Sequence, residues 1–392
     1  MQLVKFSSLI LIFIVFFTSC QDDPTSLGKD LIGDQLEILI ISSDTDTLAQ
    51  NSSSFVTDSL NFGSASRVLL GNLEYVKSTM LLRFGTFLPD SISDALEDGS
   101  ITVLSSEVEL RPIYRIGDRS QILNFSVHEI TSSWGSSGFN ADSLAMLTYD
   151  PVELTSTKEV TDSLIKFDVN TAVALKWLNT LRGDTSATNY GMILIPTGGN
   201  LLYGFRAFPL ISHEDSPFIR FVIQNSENKI DTISAPVVFD VHIPEGTIPA
   251  ISEDRIQLTA GLGQRGKLFF DLSKLPPHVN INKAELTLNV DSTLSYIGSP
   301  DTDSLRVHLY SDSTNNEIAS DQRALRLYFD GKQFKGDIAR FVQAFVSGKE
   351  NQGMSLTLSN EISAVDKYVV YGSKFADQAL RPKLVIYYNV FN

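Results

Sequence analysis

Four landmarks recur in the same order in the two halves of this chain, and that repeat constrains its fold more than any other feature. Leu82-Arg83-Phe84 followed by Leu88-Pro89 returns as Leu268-Phe269-Phe270 followed by Leu275-Pro276. Asp168-Val169-Asn170-Thr171 opens a short helical pattern that ends before Gly183, and Asp337 opens Ile338-Ala339-Arg340-Phe341-Val342, which ends before Gly348. Asn189-Tyr190-Gly191-Met192 returns as Asn351-Gln352-Gly353-Met354. Each half closes on a proline-led apolar run, from Pro217 to Phe221 and from Pro382 to Ile386. Self-similarity at this spacing means two copies of one supersecondary unit.

Short apolar or alternating runs fill both copies: Ser106 to Leu110, Ile122 to Val127, Met192 to Ile195, Phe218 to Ile223, Glu285 to Val290 and Lys383 to Tyr388. Gly, Pro, Asn, Asp or Ser bound each of them, which is the punctuation of strands. The helical patterns are different. Ala174, Trp177, Leu178 and Leu181, and likewise Ile338, Phe341, Val342 and Phe345, stand at i, i+3, i+4 and i+7, one apolar stripe of a helix. A chain of 392 residues, 43% hydrophobic, has room for two cores. The expected fold is all-β: two tandem β-sandwich domains, jelly-roll-like, each with one short helix. They span residues 34–225 and 235–392, with a linker at 226–234.

The N-terminus carries Lys5, an apolar run from Leu9 to Phe17, and then Thr18-Ser19-Cys20. Nine apolar residues are too few to cross a bilayer, which takes about 20 as a helix. A positive flank, a short apolar core and small residues before a cut site describe a secretory signal. With Cys20 directly behind, the segment resembles a bacterial lipoprotein signal of the relaxed Bacteroidota type. The resemblance implies removal of residues 1–19, lipidation of Cys20, and an anchor in the outer membrane. Residues 20–33 then form a tether, in which Gln21-Asp22-Asp23 resembles the export signal for the cell surface.

Within the first copy, Leu81-Leu82-Arg83-Phe84, Ser105 to Leu110, Asn189 to Leu194 and above all Val127-His128-Glu129-Ile130-Thr131-Ser132-Ser133-Trp134 carry a family likeness. From about Leu69 to Ile223 the chain resembles the DNRLRE-type module of secreted bacterial and archaeal proteins. That group includes disaggregatase-related repeats and family 96 carbohydrate-binding modules. The resemblance implies a β-sandwich that binds polysaccharide or oligosaccharide without cleaving it. Where the family has a second Trp, this chain reads Asp142-Ser143-Leu144-Ala145-Met146, and the second copy has Leu305 to Tyr310 in place of the Trp134 stretch.

Several chemistries are excluded or unsupported. Lys plus Arg total 31 against 46 Asp plus Glu, a net charge of -15, which repels a nucleic-acid backbone. A single Cys rules out an intramolecular disulfide. Gly261-Leu262-Gly263-Gln264-Arg265-Gly266 spells a dinucleotide fingerprint, but the β-like run behind it supplies no helix N-terminus for a pyrophosphate. It reads as a hairpin turn. The five His (His128, His213, His242, His278, His308) stand singly, without the spacing of a metal site. Asp44-Thr45-Asp46 and Asp301-Thr302-Asp303 are acidic loop pairs of the kind that hold Ca²⁺, yet neither has the Gly and distal Glu of an EF-hand; solvated turns are expected. The chain implies no cofactor and no enzyme.

Sugar recognition combines an aromatic face with planar polar or cationic side chains. Arg111, Tyr114, Arg115 and Arg119 form a basic-aromatic patch, Tyr203 and Arg206 a second, and Trp134 stands beside the flexible Gly135 to Gly138 loop. These seven are the candidate glycan-binding residues. Trp177, on an apolar stripe, is expected in the core. The competing expectation is a structural or adhesion subunit that contacts an envelope protein partner and binds no glycan.

Overall fold

The computed structural model describes residues 38–390, except 47, 58–59, 209–213 and 300–303. The signal segment, Cys20, His213 and the Asp301–Asp303 pair lie outside the described residues. The fold is all-β: the described residues form two antiparallel twelve-stranded sheets, one for each of two sandwich-like units. The described residues form four short α-helices, α1 (Asp90–Glu97), α2 (Ala141–Met146), α3 (Thr171–Arg182) and α4 (Ala339–Val346). The first unit thus holds three helices rather than one.

The segment expected as a linker is part of the first unit. Asn225 accepts the backbone N–H groups of Glu227 and Lys229, and Asn228 takes the left-handed conformation, so a short polar hairpin links two strands. The strand that follows, Ile230–Gly246, pairs along its first half with Phe218–Gln224 and along its second with Val76–Phe84. A register shift between Val237 and Phe239 marks the place where it passes from one layer to the other, as corner strands of sandwiches do at bulges.

The N-terminal strands belong to the other unit. Leu39–Ser42 pairs with Lys383–Asn389, and Gln50–Val56 pairs with all of Gln264–Phe270. In the second unit they fill the place that Ile230–Gly246 fills in the first: Phe84 faces Val237, and its repeat counterpart Phe270 faces Gln50. The first unit, Arg67–Gly246, is therefore inserted between two strands of the second, and the tandem boundaries at 34–225 and 235–392 do not hold.

The landmarks of the repeat superpose in detail. Asn189 accepts the N–H of Gly191 and donates to the Phe84 carbonyl, while Asn351 accepts that of Gly353 and donates to the Phe270 carbonyl. Both glycines have positive φ, 80° and 83°, which a side chain would strain. Gly183 and Gly348 follow α3 and α4, where the helical patterns end, and both are left-handed. The N-terminal acceptors differ. Asn170 caps α3, whereas Asp168 accepts from Thr155, Ser156 and Thr157; Asp337 does cap the start of α4. The glycine fingerprint is the expected hairpin turn, bridged by Thr259 and Gln264.

Trp177 is in the core as expected, its indole N–H donating to the buried Glu129. On Arg67–Asn72 and Leu201–Arg206 every residue from Val68 to Leu70 and from Leu201 to Phe205 is buried. Both faces are covered. Val68, Leu70, Tyr203 and Phe205 point into the first unit's core, while Leu69 and Leu202 join Tyr75, Tyr114 and Ile116 in the core of the second.

His242, on the corner strand, is fully buried and edge-on to Phe62 at 5.2 Å, with no partner for either ring nitrogen among the described residues. Burial, with the Arg67 charge, pushes its pKa from 6.5 down to about 3. Two residues away, burial raises Asp240 from 3.8 to about 6 against the N–H that Phe208 donates. The two act in opposite senses. As pH falls from 6.5 toward 3 the unfolded chain takes up a proton that buried His242 refuses, and stability is lost. Between pH 3.8 and 6 the folded chain keeps a proton on Asp240 that the unfolded chain releases, and stability is gained on acidification. His242→Leu removes the first effect only. Its stability relative to wild type should rise by up to about 1.4 kcal/mol per pH unit as pH falls from 6 to 4. Urea titrations at each pH measure it, and a pH-independent difference rules it out.

Candidate functional site

Where the two units meet, a buried carboxylate organises the contact. Asp366 accepts the N–H of Gly298 at 2.6 Å, the hydroxyl of Tyr114 at 3.1 Å and the amide of Asn360 at 2.9 Å. Burial raises its pKa despite these donors and the nearby Arg67. Tyr75 donates to the Val365 carbonyl at 2.6 Å. Backbone groups of Arg115 and Ser299 exchange hydrogen bonds of 2.9 and 2.8 Å, so an edge strand of one unit docks on a segment of the other.

Beside this contact opens a cleft of about 620 Å³ whose lining carries several polar side chains. The first unit supplies Ser66, Arg67, Ile113 and Arg206; the second supplies Ser304, Arg326, Tyr328, Ser359, Asn360 and Ser363. Ser66 and Ser363 are hydrogen-bonded across it, as are Ser304 and Ser359 along its wall. Arg67 lies 4.5 Å above the Tyr114 ring. Arg206 contacts Asp215 at 3.7 Å. Arg326 and Tyr328 alternate with the inward Leu327 and present an exposed guanidinium and an exposed ring. The described lining has no carboxylate, imidazole or thiol. A second groove, of about 510 Å³, is mainly apolar and lies between the Leu272–His278 turn and the end of α4.

Of the seven residues expected to hold a sugar, one lines the junction cleft: Arg206. The other six lie outside this cleft. Tyr114 is buried as a ligand of Asp366, so its ring has no free face. Tyr203 is equally buried and donates to Asp162 at 2.8 Å; burial, with that carboxylate, pushes its pKa up to about 12. Arg115 is tied to the same Asp162 and to the Arg119 carbonyl. Arg111 is paired with the buried Glu109. Arg119 is exposed, but Asp162 sits among these cations and weakens the patch for an anion. Trp134 is half-buried, donating to the Tyr190 carbonyl at 2.7 Å and packing on Phe139.

Asp44 and Asp46 accept from local donors, and Lys383 pairs with Asp44. Among the described residues no group of His, Cys, Asp or Glu is placed to hold a metal. Sequence reasoning missed Arg67, Arg326 and Tyr328. The doubly apolar runs Val68 to Leu70 and Leu201 to Tyr203 were the available signal, because strands without alternation have both faces covered and so mark the join. No protein-family model and no curated protein matches the chain, so the likeness to the DNRLRE-type module rests on the residues quoted above.

Proposed function

We propose that the chain is a lipid-anchored, surface-exposed outer-membrane protein that binds a polysaccharide or oligosaccharide without cleaving it. The observation that carries this reading is the junction cleft, where arginines, hydroxyls, one amide and an exposed tyrosine converge from both units. This is the donor-rich, aromatic-edged chemistry that sugar hydroxyls and ring C–H groups meet. Among the described residues the lining has no carboxylate or imidazole to act as general acid or base on a bound glycoside. The anchor is supported by the signal-like segment before Cys20.

Two expected results follow from this reading. Cys20→Ser should leave the fold intact and release the protein from the membrane fraction, since the lipid is the apolar anchor; a variant that still sediments with outer membranes excludes it. On a glycan array the protein should retain a defined set of oligosaccharides, and Tyr328→Ala should weaken that retention roughly two- to tenfold through lost stacking. No retained glycan, or retention indifferent to Tyr328, would move the reading to a structural or adhesion subunit. The apolar groove beside α4 favours that second reading.

A further inference from the structure

We propose that the junction cleft is built for an oxyanion, and that its ligand is an oligosaccharide carrying sulfate or carboxylate groups; this rests on the glycan-binding reading and narrows its substrate class. Two pairs of arginines stand directly opposite each other on neighbouring strands at this cleft. Arg67 faces Arg206 in the first unit, and Arg306 faces Arg326 in the second. Like charges placed directly opposite in a sheet repel. The first pair is balanced within the fold by the Tyr114 ring, Asp366 and Asp215, whereas no carboxylate among the described residues pairs with Arg326. Asp366 is buried beside Arg67, and Asp215 lies 3.7 Å from Arg206. These cations gather on one side of the join in a chain whose net charge is -15.

The second pair is the more telling. Arg306 lies behind the lining and reaches the carbonyl of the lining Ser359 at 3.4 Å, while Arg326 lines the cleft, is exposed and pairs with no carboxylate among the described residues. Ser304, Arg306, Arg326 and Tyr328 share one face of the two paired strands. An anion lodged there would relieve the repulsion and accept charge-assisted, bidentate hydrogen bonds. Tyr328 would take the face of the sugar ring beside the anionic group. A neutral sugar leaves the repulsion between Arg306 and Arg326 unrelieved and gains none of this.

The test uses the intact protein and its Arg326→Gln and Arg326→Lys variants, with sodium sulfate, uronate and sulfated oligosaccharides, and neutral oligosaccharides of equal length. Without ligand, Arg326→Gln should melt no lower than wild type, because it removes a repulsive pair. With anionic ligands, wild type should melt higher by mass action, and calorimetric affinity for anionic oligosaccharides should fall about tenfold or more in Arg326→Gln. Arg326→Lys should fall between the two. Raising the salt should weaken anionic ligands and spare neutral ones. Equal binding of neutral and anionic oligosaccharides, with Arg326→Gln unaffected, overturns the anion assignment while the glycan-binding reading stands. An Arg326-dependent shift with sulfate but no oligosaccharide bound upholds the anion site and overturns the glycan-binding reading. No shift with any anion overturns the proposal outright.

Discussion

Residues 228–392 expressed alone should fail to fold, although they contain a full copy of the repeat as the sequence displays it. The reason lies in pairing. Gln264–Phe270 has Gln50–Val56 as its partner along seven residue pairs, and Lys383–Asn389 has Leu39–Ser42 along four. Losing that many ladder hydrogen bonds, at about 1 kcal/mol net each, approaches the whole stability of a typical domain, about 5–15 kcal/mol. The truncated piece also strips Ile230–Gly246 from Val76–Phe84. A rearranged chain should succeed where the simple fragment fails. Leu39 lies opposite Tyr388 in the antiparallel pair, so residues 250–392 followed by a short turn and residues 38–57 rebuild, in the second unit, the hairpin that residues 225–229 make in the first. Circular dichroism should show a cooperative β-sheet melt for this permuted chain and none for 228–392. A cooperative melt of 228–392 by itself would mean that the N-terminal strands are dispensable.

Tyr114→Ala is the point substitution expected to cost most among the seven residues that the sequence marked for sugar binding. It empties a fully buried aromatic site and removes a donor from a buried carboxyl, so a loss of about 3–5 kcal/mol is expected from the cavity. Tyr114→Phe keeps the ring and removes the hydroxyl, which should cost about 1–3 kcal/mol. Arg119→Ala, at an exposed position of the same segment, should stay within about 0.5 kcal/mol. Urea unfolding of the three variants measures the series. A Tyr114→Ala protein as stable as wild type would contradict its place at the join.

Much of the strand content was legible because alternation, turn residues and the repeat agreed. The helical stripes and both left-handed glycines were readable for the same reason, since each depends on neighbours in sequence. Strand partnership was not. The polar Asn225–Lys229 hairpin has the composition of a linker, and nothing local distinguishes a turn within a unit from a join between units. The exchange of Leu39–Val56 into the second unit is a long-range pairing that only register reveals. Candidate residues failed in a related way. Tyr114 and Arg115 stand together in sequence, but alternation along Pro112–Gly117 sends one into the join and the other to Asp162. Conversely, Arg67, Arg206, Arg306 and Arg326 are scattered in sequence and meet through cross-strand pairing.

The junction cleft exists because the two units are interlocked, and native-state hydrogen exchange tests that claim most directly. The amides of Gln50–Val56 that bond to Gln264–Phe270 should exchange as slowly as those of Met354–Leu358, the strand on the other side of Gln264–Phe270, because both can open only when the second sandwich unfolds. Rapid exchange across Gln50–Val56, with Met354–Leu358 still protected, would show an N-terminal segment lying loosely on a self-sufficient second unit and would contradict the interlocked fold.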